Sequence, residues 1–134
     1  MNHPRAFMAA AVLLLLLGGC AQPVQVSPQT SALLPRSAAI DILQRTFSRE
    51  WVEQPWVSRT EFCSAPFSRV PIAFTDIKAV KYFPALGQIN VYRQPPVVFS
   101  CVEYVRVPVD RQAVEEVMTA LRSLGACSAP GSEC

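Results

Sequence analysis

Apolar positions repeat with a helical period at both ends of the chain beyond residue 36. Ile40, Leu43 and Phe47 lie at i, i+3 and i+7, which places them on one face of a helix. Ser37 precedes this face, and its hydroxyl would accept a hydrogen bond from a free amide of the first turn. The pattern predicts a first helix that begins at Ser37 and ends near residues 49–51.

A second helical pattern begins after Pro108. Asp110 is the candidate N-cap, and Gly125 stands where a left-handed residue commonly ends a helix. Between them lies a broad apolar stripe made of Val114, Val117, Met118, Leu121 and Leu124. The sequence therefore predicts an amphipathic C-terminal helix that packs on a core.

Between the two helices the apolar positions alternate with a period of two. Predicted strands cover residues 56–63, 70–74, 79–83, 89–93 and 97–107. The resulting fold class is α+β: an N-terminal helix, a four- to five-stranded antiparallel sheet and a C-terminal amphipathic helix. The predicted core contains Ile72, Phe74, Val80, Ile89, Val91, Phe99, Val105, Leu121 and Leu124.

The amino terminus has the pattern of an export signal. Arg5 is followed by an apolar run over residues 6–17, which is shorter than the roughly 20 residues that a membrane-spanning helix needs. The run ends in Leu17-Gly18-Gly19-Cys20, which resembles the lipobox of bacterial lipoproteins. An ordinary secretory signal or membrane anchor that ends in cysteine is the alternative.

The lipobox resemblance implies cleavage before Cys20 and three segments. Residues 1–19 would be a signal peptide, residues 20–36 a lipidated cysteine with a flexible tether, and residues 37–134 one small α+β domain. In that family the cysteine thiol carries a diacylglyceryl group and the freed amine is usually acylated, so Cys20 would anchor the protein to a membrane. Because Ala21 is not the aspartate that commonly signals inner-membrane retention in Gram-negative hosts, we expect the outer membrane, facing the periplasm.

Charge and histidine content narrow the possible functions. The formal net charge is +2, or near +1 without Arg5, which gives no reason to expect a nucleic-acid partner. The single histidine, His3, lies in the predicted leader, so histidine-dependent catalysis and histidine metal sites are not expected in the mature chain. The carboxylates are scattered, and no cofactor-binding motif is present. We therefore predict no catalytic residue, no cofactor and no metal.

Four cysteines remain besides Cys20, and an exported protein is expected to pair them. The preferred pairs are Cys63–Cys101, which two neighbouring strands would bring together, and Cys127–Cys134, which closes a short loop in the tail. A Cys101–Cys127 bond would also join the last helix to the sheet. A zinc site built from all four thiolates is a further alternative, although no C-x-x-C pair occurs.

The segment Ile72-Ala73-Phe74-Thr75-Asp76-Ile77-Lys78-Ala79-Val80 is similar to a strand-and-turn segment of bacterial PH-like and GRAM-like domains. Those domains also finish with a strand followed by an amphipathic helix, so the likeness covers about 55 residues. This chain departs from them by placing a helix before the sheet and by having too few clear strands for a full PH barrel. The resemblance implies a binding scaffold without assigned chemistry.

These patterns favour a membrane-anchored, non-enzymatic envelope lipoprotein that binds a protein partner or supports an envelope assembly. A small-ligand or lipid-binding module on the PH-like scaffold, and a carboxylate-dependent enzyme acting on cell-wall glycan, are the alternatives. Aromatic residues give the only indication of a binding surface. Tyr82, Phe83 and Tyr92 form the first candidate surface, and Trp51 with Trp56 the second. The competing interpretation is that these side chains cap the ends of the core.

Overall fold

A computed structural model describes residues 22–24, 32–97, 101–128 and 132–134. Its helices are α1 (Arg36–Thr46), α2 (Arg49–Glu53) and α3 (Val114–Ser123). Its strands are β1 (Trp56–Arg59), β2 (Arg69–Pro71), β3 (Ala79–Phe83), β4 (Gln88–Tyr92) and β5 (Glu103–Pro108). The strands form one antiparallel sheet in the order β2-β1-β5-β4-β3, which confirms the predicted α+β class.

The sheet has one face that is packed against helices and one that is not. Ile89 pairs with Val107 and Val91 with Val105, and these side chains are buried on the helix-packed face. The core that they share with the helices includes Leu43, Val57, Ile77, Val117 and Leu121. Because successive strand residues point to opposite sides, the residues between these positions lie on the other face, called the open face because the helices do not pack on it. Asn90 and Tyr92 are nevertheless buried on that face.

The first helix is shorter than predicted and is followed by a second. Pro35 occupies the N-cap position of α1, so Ser37 lies within the helix and does not cap it. The chain extends at Phe47, and the Ser48 hydroxyl then accepts a hydrogen bond from the amide of Trp51 at 3.2 Å. This N-cap restarts the chain as α2, because a serine hydroxyl that satisfies a first-turn amide favours a helix start.

The end of α3 follows the sequence prediction. Gly125 has φ +89°, and the amide of Ala126 donates to the carbonyl of Leu121 at 2.9 Å. The Gly125 amide donates to Arg122 at 3.0 Å, which completes the usual glycine-terminated helix end. At the other end of α3 the prediction was wrong: the Asp110 side chain makes no capping bond, and a 3-10 turn at Arg111–Ala113 precedes the helix.

Three predicted strands are longer in the sequence pattern than in the structure. β1 ends at Arg59, where the chain turns into a hairpin loop, and β2 covers only Arg69–Pro71. Phe74 begins a 3-10 turn because the Asp76 carboxylate accepts a hydrogen bond from the amide of Ala73 at 2.6 Å. β5 begins at Glu103, so Val97 and Cys101 lie outside the sheet and are exposed, while Phe99 falls outside the described residues.

Both edges of the sheet are protected. β2 is short and contains Pro71, which has no amide hydrogen to donate. Along β3, the Val24 amide donates to the carbonyl of Tyr82 at 3.0 Å. The Glu133 carbonyl accepts from Val80 at 3.1 Å, and the Glu133 amide donates to Lys78 at 2.7 Å. Two terminal segments therefore occupy the β3 edge.

Both preferred disulfides are present. Cys63 and Cys101 are bonded with a Cα–Cα distance of 4.7 Å, and Cys127 and Cys134 with one of 5.8 Å. The first bond ties the loop after β1 to the segment before β5. The second holds the tail beside the β3 edge.

The predicted leader and Cys20 lie outside the described residues. In the described part of the chain, no helix combines the length and apolarity needed to cross a membrane. The predicted tether is not free along its whole length. Besides the bond at Val24, the Leu34 amide donates to the Ser123 hydroxyl at 2.8 Å, and its side chain packs against the core, whereas Leu33 is exposed.

Candidate functional site

The open face of the sheet carries aromatic and arginine side chains. Strand pairing places Ser58 beside Tyr104, Tyr104 beside Tyr92, and Asn90 beside Arg106. Trp56 lies on the same face two residues before Ser58. The sheet therefore presents a mixed aromatic and polar surface on the side away from the helices.

A groove of about 610 Å³ lies where this face meets the loop between β1 and β2. Its lining comes from β1, from β5 and from the loop, and it includes Trp56, Ser58, Phe62, Phe67, Tyr104 and Arg106. Phe62 and Phe67 are each 75% exposed, the highest exposure among the large apolar side chains of the described residues. Two phenylalanines thus stand in solvent at the rim of the groove.

Hydrogen bonds and a disulfide hold the loop in place. The Phe67 amide donates to the Arg59 carbonyl at 3.1 Å, and the Ser68 hydroxyl donates to the Ala65 carbonyl at 2.7 Å. The Cys63–Cys101 bond fixes the loop from its other side. Phe62 and Phe67 are therefore displayed on a constrained frame.

Phe67 has a left-handed backbone conformation, with φ +60°. A side chain with a Cβ pays about 1–3 kcal/mol for such a conformation, and glycine usually fills it. Burial of the ring does not offset this strain energy, because three-quarters of the residue is exposed. An exposed aromatic ring in a strained conformation points to a function outside the fold itself.

Cationic side chains lie on the aromatic rings of the groove. The Arg106 guanidinium donates to the Tyr104 hydroxyl at 2.6 Å and lies 4.9 Å from the centre of that ring. On the neighbouring strand pair, the Arg69 guanidinium lies 4.2 Å from the Trp56 ring centre. Contacts of this kind stabilise a cation on the ring face and hold both groups in one geometry.

The two arginines differ in their acidic neighbours. Arg69 reaches Glu50 at 4.0 Å, with both side chains largely exposed. None of the ion pairs among the described residues includes Arg106. Arg106 therefore has no carboxylate within ion-pair distance among the described residues, although Glu61 also lines the groove.

Glu103 is the most enclosed carboxylate among the described ion pairs. Its oxygens accept from Arg59 at 2.9 Å and from Arg93 at 3.2 Å, on the helix-packed side of the strand end. Both oxygens are thus committed to structural ion pairs. No group of three or more possible metal ligands occurs within the described ranges.

A polar row runs beside the groove along β4. Gln88 donates from its amide to the Asn90 side-chain carbonyl, and Asn90 donates to the Tyr92 hydroxyl, both at 3.0 Å. Burial raises the pKa of the Tyr92 hydroxyl above its ordinary value of 10.0. The Tyr92 ring lies 5.8 Å from that of Tyr104, so this row supports the groove floor.

The structure corrects the predicted exposure of the second candidate surface. Trp51 is buried: its ring stacks on Phe47 at 4.1 Å and meets the edge of Phe74 at 6.0 Å. Its indole nitrogen donates to the Trp56 carbonyl at 2.8 Å. Trp51 is therefore a core side chain, whereas half-buried Trp56 lines the groove.

The first candidate surface divides in a similar way. Tyr82 and Tyr92 are buried, and Phe83 is half-buried. Tyr82 lies on the helix-packed face because its partner Ile89 does, while Tyr92 lies on the open face. These three residues do not form one exposed patch, and burial removes Tyr82 from direct contact with a partner.

The sequence interpretation missed Phe62, Phe67, Tyr104 and Arg106 as site residues. The alternating pattern predicts a strand that includes Phe62, whereas β1 ends at Arg59, so the pattern does not indicate that Phe62 is exposed. A signal for Phe67 exists in Ser64-Ala65-Pro66-Phe67-Ser68, where a large apolar residue stands among turn-forming residues. The positions of Tyr104 and Arg106 depend on which strands pair, which no local pattern gives.

No protein-family model, curated protein or solved structure matches this chain. The function is therefore inferred from the groove and from the lipobox pattern.

Proposed function

We propose that the protein is a lipid-anchored envelope lipoprotein that acts by binding a protein partner in the groove between the β1–β2 loop and the open face of the sheet. The observation that carries this proposal is the exposure of Phe62 and Phe67 on a loop held by the Cys63–Cys101 disulfide. Anchoring through Cys20 is the part of the proposal that rests on the sequence.

The two phenylalanines have the properties of binding anchors. Aromatic side chains bury about 150–250 Å² each, and the central anchors of an interface typically lose about 2 kcal/mol or more when truncated to alanine. Because the loop is already constrained, little conformational freedom remains to be lost on association. Burial of Phe62 and Phe67 would therefore contribute to affinity rather than to ordering the loop.

Charge favours one kind of partner segment. Arg106 lies on the groove floor without a described acidic partner, and Arg69 has only a distant, exposed one. A segment that presents apolar side chains to Phe62 and Phe67 and a carboxylate to Arg106 would satisfy both features. We propose a partner surface that is apolar with an acidic residue.

The groove gives less support to the alternatives. A small-ligand site usually encloses most of its ligand in a deep, largely apolar pocket. The groove is open along the sheet, and the described side chains on the helix-packed face fill the core. A glycan-cleaving site would need two available carboxyl groups, whereas Glu61 is the single carboxylate among the described residues that line the groove.

Site-specific photocrosslinking in living cells tests the groove. A photoreactive phenylalanine analogue at Phe62 should capture an envelope protein, which mass spectrometry identifies. Leu86 is the matched control, because it is also a large apolar residue, 61% exposed, in the turn between β3 and β4. Equal capture from both positions, or capture from neither, would contradict a binding groove.

Anchoring is tested separately through Cys20. The variant Cys20→Ala should accumulate as an unprocessed precursor, and the wild-type protein should fractionate with the outer membrane. Two acyl chains on the thiol and a third on the amine make release negligible, because each buried methylene contributes about 0.8 kcal/mol. Normal processing of the variant, or solubility of the wild type without detergent, would refute lipidation.

A further inference from the structure

The amino-terminal segment is bound to one particular edge of the sheet. Val24 donates its amide hydrogen to the carbonyl of Tyr82 in an antiparallel bridge. The neighbouring positions of β3 are taken by the tail, through Glu133 and the Cys127–Cys134 disulfide. The chain preceding Val24 therefore leaves the domain from the β3 edge.

Covalent geometry limits how far Cys20 extends from that edge. Val24 lies four positions after Cys20, and a fully extended chain spans at most about 3.6 Å per residue, or roughly 14 Å in all. A domain of about 100 residues has a radius of gyration near 13 Å and hence a diameter well above this reach. An anchor at Cys20 is thus close to β3 and cannot reach the far side of the domain.

We propose that the bound Val24 orients the domain, so that the β3 edge faces the lipid bilayer and the groove faces away from it. This inference rests on the proposed lipid anchor at Cys20. Without the bond at Val24, the chain from residue 20 to residue 33 would extend about 45 Å, and any face of the domain could approach the membrane.

The charges of this edge fit a bilayer of anionic lipids. The chain contains only two lysines, Lys78 and Lys81, and both belong to the β3 region. Lys81 lies 3.7 Å from Glu133, whose carboxylate offsets its charge. The Lys78 ammonium donates to the Thr75 carbonyl at 3.0 Å and has no described carboxylate partner. Basic side chains near a membrane surface are attracted to acidic headgroups.

The groove lies toward the opposite edge of the same sheet. β1 is separated from β3 by β5 and β4, and adjacent strands lie about 4.8 Å apart, so the two differ by roughly 14 Å along the sheet. With β3 against the bilayer, Phe62 and Phe67 are presented to the aqueous side. The orientation therefore leaves the groove open to a partner in the periplasm.

Lysine acylation on vesicles tests the orientation. The experiment uses the chain that begins at Cys20, because all described core residues lie after that position. With both disulfides formed, Cys20 has the one free thiol of this chain. That thiol is coupled to a maleimide lipid in vesicles of phosphatidylethanolamine and phosphatidylglycerol. A water-soluble acylating reagent then reports on Lys78 and Lys81, and the substitution Arg69→Lys supplies a control lysine at the β2 edge.

We expect both native lysines to react about fivefold more slowly on vesicles than in solution. One hydrogen bond at Val24 keeps about five chains bound to the β3 edge for each chain that is free, and only the free form exposes these lysines to the reagent. The control lysine at position 69 should react at the same rate in both. Val24→Pro removes the donor amide and should abolish the protection, whereas Gln22→Pro places a proline two residues earlier and should preserve it. Equal slowing at all three lysines, or none at any, would overturn the proposed orientation.

The coupling chemistry separates this proposal from the anchoring proposal. Because the lipid is attached in vitro, the acylation result does not depend on whether cells modify Cys20. An unmodified Cys20 in the native protein would refute the lipid anchor, but the orientation measured on vesicles would still stand. Lack of protection with a confirmed native lipid would refute the orientation alone.

Discussion

Replacement of Phe67 by glycine and by alanine should reverse the usual order of stability. Both changes remove the same ring, so its remaining contacts cancel in the comparison. Alanine keeps a Cβ at φ +60° and pays about 1–2 kcal/mol of left-handed strain, which glycine avoids. Glycine loses about 0.5–1 kcal/mol through greater freedom of the unfolded chain. Phe67→Gly should therefore be more stable than Phe67→Ala by about 0.5–1 kcal/mol.

Urea unfolding with both disulfides intact measures this difference. At an m value near 1.5 kcal/mol/M, the midpoints should differ by roughly 0.5 M. Phe62 provides the matched control, since it is equally exposed in the same loop and has no positive φ. At that position alanine should be at least as stable as glycine. If alanine is also the more stable residue at position 67, the strained loop and the argument from it are refuted.

Two further sets of substitutions test what stabilises the domain. Gly125→Ala should destabilise the domain by about 2 kcal/mol, because φ is +89° and the new methyl group would lie 3.2 Å from the Thr75 methyl carbon. Gly87→Ala should cost about 1 kcal/mol, because φ is +57° but no atom lies near the new methyl group. Equal thermal shifts would contradict this ranking. The double change of Cys63 and Cys101 to serine should cost about 4 kcal/mol for a 38-residue separation, and unchanged urea midpoints would refute that contribution.

The parts of the fold that the sequence predicted are those set by local physics. The end of α3 depends on one glycine and the apolar stripe before it, and both act within a few residues. The helix-packed face of β4 follows from the alternation of Ile89 and Val91. These features need no knowledge of the rest of the chain, so a pattern read along the sequence was sufficient.

Side chains whose environment depends on distant residues were predicted less well. Trp51 looked available for binding because it follows the first helical pattern, but the cap at Ser48 turns α2 so that the indole stacks on Phe47. Tyr82 and Tyr92 stand in neighbouring strands, yet they point to opposite faces of the sheet. Aromatic composition alone did not distinguish core from surface, because the distinction arises from tertiary packing.

The groove exists because β1 lies beside β5, which is distant in sequence. Ser58 pairs with Tyr104, and this pairing brings the exposed loop next to the arginine of β5. The predicted Cys63–Cys101 bond was the one element of the sequence interpretation that carried this long-range information, since two bonded cysteines require the segments that contain them to approach. The disulfide that constrains the loop therefore also indicates, from the sequence alone, that the chain after β1 lies near the chain before β5, where the groove forms.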